Sequence, residues 1–114
     1  VHQFTEKTIK LIQGIPEGKV MSYGQIARYA GNVRGARQVA RVLHSMSRKH
    51  RLPWHRVVNA RGEISVKGEE LFQTQKLSLE LEGVEVDSRG TVNLDKFLYE
   101  PEVDGDGSAG QSSV

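Results

Sequence analysis

SYGQIARYAGNVRGARQVARVL, residues 22–43, is the stretch on which the fold turns. Ser22 with Gln25 forms a capping box: Ser22 can accept from the Gln25 amide while the Gln25 side chain reaches back. The helix it starts covers about 23–30, buries Ile26, Ala27 and Ala30, and stops at Gly31. After the link Gly31-Asn32-Val33-Arg34, the spacing predicts a second helix from Gly35 to about Ser47. Ala36, Val39, Ala40, Leu43 and Met46 make one buried stripe on it. Arg34, Arg37, Arg41, His44 and Arg48 form the opposite stripe, a column of positive charge. Two short helices around a Gly-containing link fit a helix-turn-helix.

Working outward, residues 3–13 place Phe4, Thr8, Leu11, Ile12 and then Ile15 at helical spacing, ahead of the breaker turn Gly14-Ile15-Pro16-Glu17-Gly18. Beyond Pro53, Arg56 to Val58 and Glu63 to Val66 are predicted strands around an Asn59-Ala60-Arg61-Gly62 turn, the usual wing of such a motif. Gly68 to Glu82 reads as a helix carrying Leu71, Phe72, Leu77 and Leu79. Val84 to Val86 and Thr91 to Leu94 flank an Asp87-Ser88-Arg89-Gly90 turn as a last hairpin, and residues 95–99 pack back on the body. Residues 100–114, EPEVDGDGSAGQSSV, read as an acidic Gly/Ser-rich disordered tail, which leaves 1–99 as one domain. The expected fold class is mostly α with small β, a winged helix-turn-helix.

Composition narrows the function classes. The 114 residues are 37% apolar and 26% charged, as suits a soluble globular domain. No apolar run approaches the roughly 20 residues a bilayer span needs, and no signal-peptide pattern opens the chain. No membrane partner is expected, and the location is read as cytoplasmic: nucleoid-associated if bacterial, nuclear if eukaryotic. With no cysteine in the chain, disulfides, thiolate zinc sites and thiol nucleophiles are excluded. The four histidines lack metal-ligand spacing, so neither metal nor other cofactor is expected. The near-neutral total hides an asymmetry: residues 1–68 hold 13 Lys and Arg against 3 Glu, and residues 69–114 hold 3 against 11 acids. A basic half of this kind is either a solvated surface or the footprint of a polyanion binder.

The column on the second helix bears on that choice. Arginines at 3/4 spacing can track phosphates, and Ser22, Tyr23 and the helix N-terminus can add hydrogen bonds to the backbone. A recognition helix normally reads the major groove with long polar side chains. Here Gly35, Ala36 and Ala40 flank Arg37, and small residues around one long cation suit a narrow groove. A winged-helix regulator that reads sequence with the arginines is the rival, although no dimerisation segment is visible; a monomer is expected.

LPWHRVV, residues 52–58, raises a second question. Pro-Xaa-His-Arg at a strand entry sets Xaa and His in a rigid corner. A Cys at Xaa would be deprotonated by the His and become a nucleophile. Trp54 cannot do this. Taken alone it reads as a core residue, and His55 as a hydrogen-bonded structural histidine.

VMSYGQIARYAG, GARQVARVL and PWHRVV occur in this order, and together they resemble the O6-alkylguanine DNA alkyltransferases. They resemble still more the alkyltransferase-like proteins, in which Trp or another residue replaces the acceptor Cys of PCHRV. The resemblance covers about residues 3–99. It implies double-stranded DNA as partner, bound through the minor groove by Ser22, Tyr23, Asn32, Arg34, Gly35, Ala36, Arg37, Ala40 and Arg41. Tyr23 matches the tyrosine that pushes on a phosphate, and Arg37 the finger that fills the vacated stack. The alkylated base would enter a pocket of Tyr23, Pro53, Trp54, His55, Val57 and the loop Ile64, Ser65, Val66, Lys67 and Gly68. Lys67 falls where relatives carry a basic side chain near the flipped base.

His55 and Glu82 match a Cys-His-Glu relay that has here lost its thiol, so no residue is expected to be catalytic. Met46 stands where the transferases carry an Asn that braces the active-site turn. The implied function is non-enzymatic recognition of O6-alkylguanine by nucleotide flipping, with handover to nucleotide excision repair proteins. A base hydrolase using His55 and a water is a further alternative.

Overall fold

The computed structural model describes residues 2–102; of the expected tail, residues 103–114 lie outside the described residues. The first helix, α1 (His2–Gln13), buries Thr8 and Ile12 completely, with Ile15 just beyond its end. These are the inward positions that the helical spacing assigns. A two-residue strand, β1 (Met21–Ser22), leads without a break into α2 (Tyr23–Tyr29).

Both halves of the capping box form. The Gln25 amide donates to Ser22 Oγ at 3.1 Å, and the Ser22 amide donates to Gln25 Oε1 at 3.2 Å. A cap of this sort contributes about 1 kcal/mol. Gln25 does more, because its Nε2 also donates to the Tyr99 carbonyl and pins the returning chain to the start of α2.

The second helix of the motif, α3 (Ala36–His50), runs three residues beyond the expected end at Ser47. No breaker interrupts Arg48, Lys49 and His50, and cations in a last turn suit the helix dipole. Arg51 then ends it in the left-handed conformation. The buried positions are Val39, Val42 and Leu43, with Met46 half-buried. Ala40, expected in that stripe, is exposed, because α3 turns the Val39/Val42/Leu43 side towards α1 and α2. Ile12, Met21, Ile26, Val39, Leu43 and Val57 belong to this first core.

The expected hairpin between Arg56–Val58 and Glu63–Val66 is corrected. A 3-10 turn occupies Trp54–Arg56, and β2 (Val57–Val58) pairs in parallel with β1, Met21 opposite Val57 and Ser22 opposite Val58. Both valines of β2 are buried, the pattern of a strand covered on both faces. Asn59 closes the following turn instead: its Oδ1 accepts from the amides of Arg61 and Glu63. The chain then runs antiparallel to the last segment, with Glu63 opposite Thr91 and the Ile64 amide bonded to the Gly90 carbonyl. Val86 pairs with Val92 as the expected last hairpin requires. The wing is therefore built from segments far apart in sequence.

The remaining helices, α4 (Glu69–Leu81) and α5 (Leu94–Phe97), close a second core that includes Val58, Ile64, Leu79, Val84, Val92 and Phe97. On α4 the inward face is Phe72, Gln75 and Leu79, whereas Leu71 and Leu77 are exposed. Gly62 is where the wing tolerates no side chain. Its φ is +83°, and a Cβ there would collide with the Val92 carbonyl. Gly62→Ala is expected to destabilise the domain by about 2 kcal/mol or more. Thermal unfolding checks this against Gly31→Ala, which shares the positive φ but meets no atom within 4 Å and should cost less.

Candidate nucleic-acid interface and base pocket

The link between α2 and α3 is shaped by Asn32. Its Oδ1 accepts from the Arg34 amide at 3.1 Å, its Nδ2 donates to Gln38 at 3.3 Å, and its carbonyl accepts from the Gly35 amide at 2.9 Å. Gly35 is buried, and a Cβ on it would stand 2.9 Å from the Phe4 ring. The glycine therefore lets α1 pack under the link and fixes the height at which α3 begins. No side chain caps α3, and its first turn carries no acid. Its leading amides and the positive end of its dipole are thus open to an anion.

Arg34, Arg37, Arg41, His44 and Arg48 are all exposed, as their spacing requires. Among the described residues none of them takes part in an ion pair. Ala36 is half-buried and Ala40 exposed, so Arg37 rises from a low surface. An open depression of about 520 Å³ continues along α3 between Ala40, Arg41, His44 and Ser45. A cationic, low-relief helix of this shape can lie against a polyanion.

The 3-10 turn sits at the other end of the β1–β2 pair. It is closed by the Arg56 amide on the Pro53 carbonyl at 2.9 Å and by the Val57 amide on the Trp54 carbonyl. Trp54 and His55 meet edge to face, with ring centroids 6.4 Å apart. Trp54 is half-buried and packs against the first core, as does Tyr23, so one core carries both.

Behind the turn lies Glu82, which takes every donor that reaches it. His55 Nε2 is 2.7 Å from its Oε2, the Arg56 guanidinium donates to both oxygens at 2.7–3.1 Å, and the Gly18 amide donates at 3.0 Å. Burial alone would raise the Glu82 pKa, but the Arg56, Gly18 and His55 bonds outweigh it and hold it at about 2. An ionised Glu82 can only accept, so His55 Nε2 carries the proton. Arg56 also donates to the Ile15 carbonyl at 2.8 Å, tying the turn to the end of α1.

The expected pocket residues divide into two groups. Tyr23, Pro53, Trp54, His55 and Val66 are half-buried, and Ser65, Lys67 and Gly68 are exposed. Val57 and Ile64 instead belong to the cores beneath them. Ser22 is also buried, its hydroxyl engaged by the capping box. Arg56 and Gln75 were not among the expected site residues. Gln75 and Lys76 both fall at helical spacing between Phe72 and Leu79, so spacing alone does not single out Gln75; Arg56 lies inside PWHRVV, but the motif alone gave it no role.

A helix-turn-helix with a wing, a cationic low-relief second helix and a rigid corner beside it define a DNA-binding domain. The family model of the 6-O-methylguanine DNA methyltransferase DNA-binding domain matches residues 3–84. The chain belongs to this family. It is 42% identical to a DNA base-flipping protein of Vibrio parahaemolyticus over 99 residues, covering 87% of this chain and 98% of that one. It is 41% identical to alkyltransferase-like protein 1 of Schizosaccharomyces pombe over 107 residues, covering 87% and 96%. Among solved structures, it resembles S. pombe Atl1 in complex with damaged DNA containing O6-carboxymethylguanine. The TM-score there is 0.77 at 40% identity, covering 89% of this chain and 98% of that chain.

Proposed function

We propose that this protein is a DNA-lesion sensor that binds O6-alkylguanine in duplex DNA and does not repair it. The observation that carries the reading is at the turn. The frame that would activate a nucleophile is intact, with His55 2.7 Å from an ionised Glu82, yet the residue it would serve is Trp54. With no cysteine in the chain, an alkyl group has no thiolate to receive it. The names of the relatives point the same way: one is a base-flipping protein, and another has been crystallised on damaged DNA.

In this reading α3 lies in the minor groove, with Ser22, Asn32, Arg34, Gly35, Ala36, Ala40 and Arg41 along the backbone. Tyr23 presses on the target phosphate while the nucleotide rotates out, and Arg37 occupies the gap. The base lodges against Pro53, Trp54 and His55 under the loop 64–68, with Lys67 near its altered edge and Val57 and Ile64 supporting from below. The unit over residues 1–99 acts as a monomer, and the occupied complex is the signal passed to nucleotide excision repair.

The test is a titration with an O6-methylguanine duplex and an unmodified duplex of the same sequence, followed by Trp54 fluorescence. Tighter binding of the lesion and an emission change confined to it are expected. Affinity for both duplexes should fall steeply with salt, since phosphate contacts release counterions. Equal affinities at matched salt would sink the lesion-sensor reading. A methyl group lost from the guanine after long incubation would overturn its non-enzymatic part.

A further inference from the structure

Gln75 is 1% exposed in the middle of α4, and its contacts are specific. Its Nε2 donates to the His55 carbonyl and to the Val57 carbonyl, both at 3.0 Å. Its Oε1 is buried and accepts nothing from the described residues. A buried acceptor without a partner is unfavourable, and a methionine or leucine at this place would not carry that cost. What the amide does supply is two hydrogen bonds to the backbone on either side of Arg56.

Those two carbonyls lie one and three residues beyond Trp54. Holding both fixes the rotation of the turn, and with it the directions in which Trp54 and His55 leave the backbone. Glu82, the C-terminal cap residue of α4, lies seven positions further on and holds the side chains of His55 and Arg56. The helix therefore grips the turn twice, by backbone at Gln75 and by side chain at Glu82. α3 contributes no side-chain hydrogen bond to the turn among the described residues; its serines bond back to their own helix.

We propose that Gln75 is a positioning residue of the base pocket: by clamping the backbone of the Trp54–Arg56 turn it sets the pocket wall that separates an alkylated base from an unmodified one. The proposal rests on the lesion-sensor reading. It assigns Gln75 to discrimination and leaves general DNA affinity to α3.

Gln75→Met keeps the volume and removes both bonds. The lesion-to-control affinity ratio is expected to fall about tenfold, the order of magnitude of two modest hydrogen bonds, with affinity for unmodified duplex within about twofold of wild type. In the DNA-free protein, acrylamide quenching of Trp54 should rise, because the turn is no longer fixed. Leu79→Ala on the same helix face is the control for lost stability: it should lower the unfolding temperature yet leave the ratio and the quenching near wild type. If Gln75→Met does not fold, Gln75→Asn, whose shorter amide cannot span both carbonyls, takes its place. A folded variant with unchanged ratio and unchanged quenching overturns the proposal. If wild type itself shows no lesion preference, the proposed function fails, and the DNA-free quenching comparison decides the positioning role by itself.

Discussion

Arg37→Ala is expected to weaken binding to an O6-methylguanine duplex by about a hundredfold, the scale of a few kcal/mol of unstacking left uncompensated. Lys96→Ala, which removes an exposed cation on α5, should change it by about twofold at most. The contrast follows from position. Arg37 stands exposed on the first turn of α3 between a half-buried Ala36 and an exposed Ala40, free of ion pairs among the described residues. Lys96 makes only a solvent-exposed pair with Glu85 at 3.3 Å. Fluorescence anisotropy at fixed salt measures both. Comparable losses from the two substitutions would remove the finger role, because general charge would then explain the effect.

The second large effect concerns stability. Glu82→Gln should destabilise the fold by about 3 kcal/mol near pH 7, since it leaves the Arg56 guanidinium largely buried and short of its counter-charge. That is a sizeable share of the roughly 5–15 kcal/mol that holds a domain together. The loss should depend on pH in a defined direction. The folded protein holds the Glu82 pKa at about 2, below the ordinary 4.5, so ionised Glu82 favours the folded state. That stabilisation is fully present above about pH 4.5 and disappears as the pH falls towards 2. Urea denaturation across this range should therefore show the gap between wild type and variant closing on acidification. A gap that stays constant from pH 5 to about pH 2 would contradict the assignment.

Local chemistry made the helix-turn-helix legible in the sequence. Ser22 and Gln25 announced the start of α2, and the 3/4 spacing of Arg34, Arg37, Arg41, His44 and Arg48 gave the outer face of α3. Both depend on neighbours within a few residues. The wing was misread because its pairing is long-range. Val57 and Val58 look like half of a hairpin, yet they pair with Met21 and Ser22, some 36 positions earlier. Only their joint burial marks them as a strand covered on both faces, and burial is a property of the fold. The site divides in the same way. PWHRVV made the corner visible, and the family motif supplied Glu82. The bonds of Arg56 to Glu82 and Ile15, and of Gln75 to two carbonyls, appear only once α4 stands behind the turn.

The short parallel pair of β1 and β2 has a mechanical consequence. One strand runs straight into α2 and Tyr23, and the other leaves the turn that carries Trp54. The parts that, on the proposed reading, act on the phosphate and on the base are thus joined directly through two buried residues on each side. On that reading the protein behaves as a mould, with the helix pair and the base-binding corner approaching DNA as one solid object. On the proposed reading, the bending and unstacking then fall to the duplex. Lesions should be sorted by how readily each nucleotide leaves its stack as much as by how well it fits, and a weakly paired base should enter fastest.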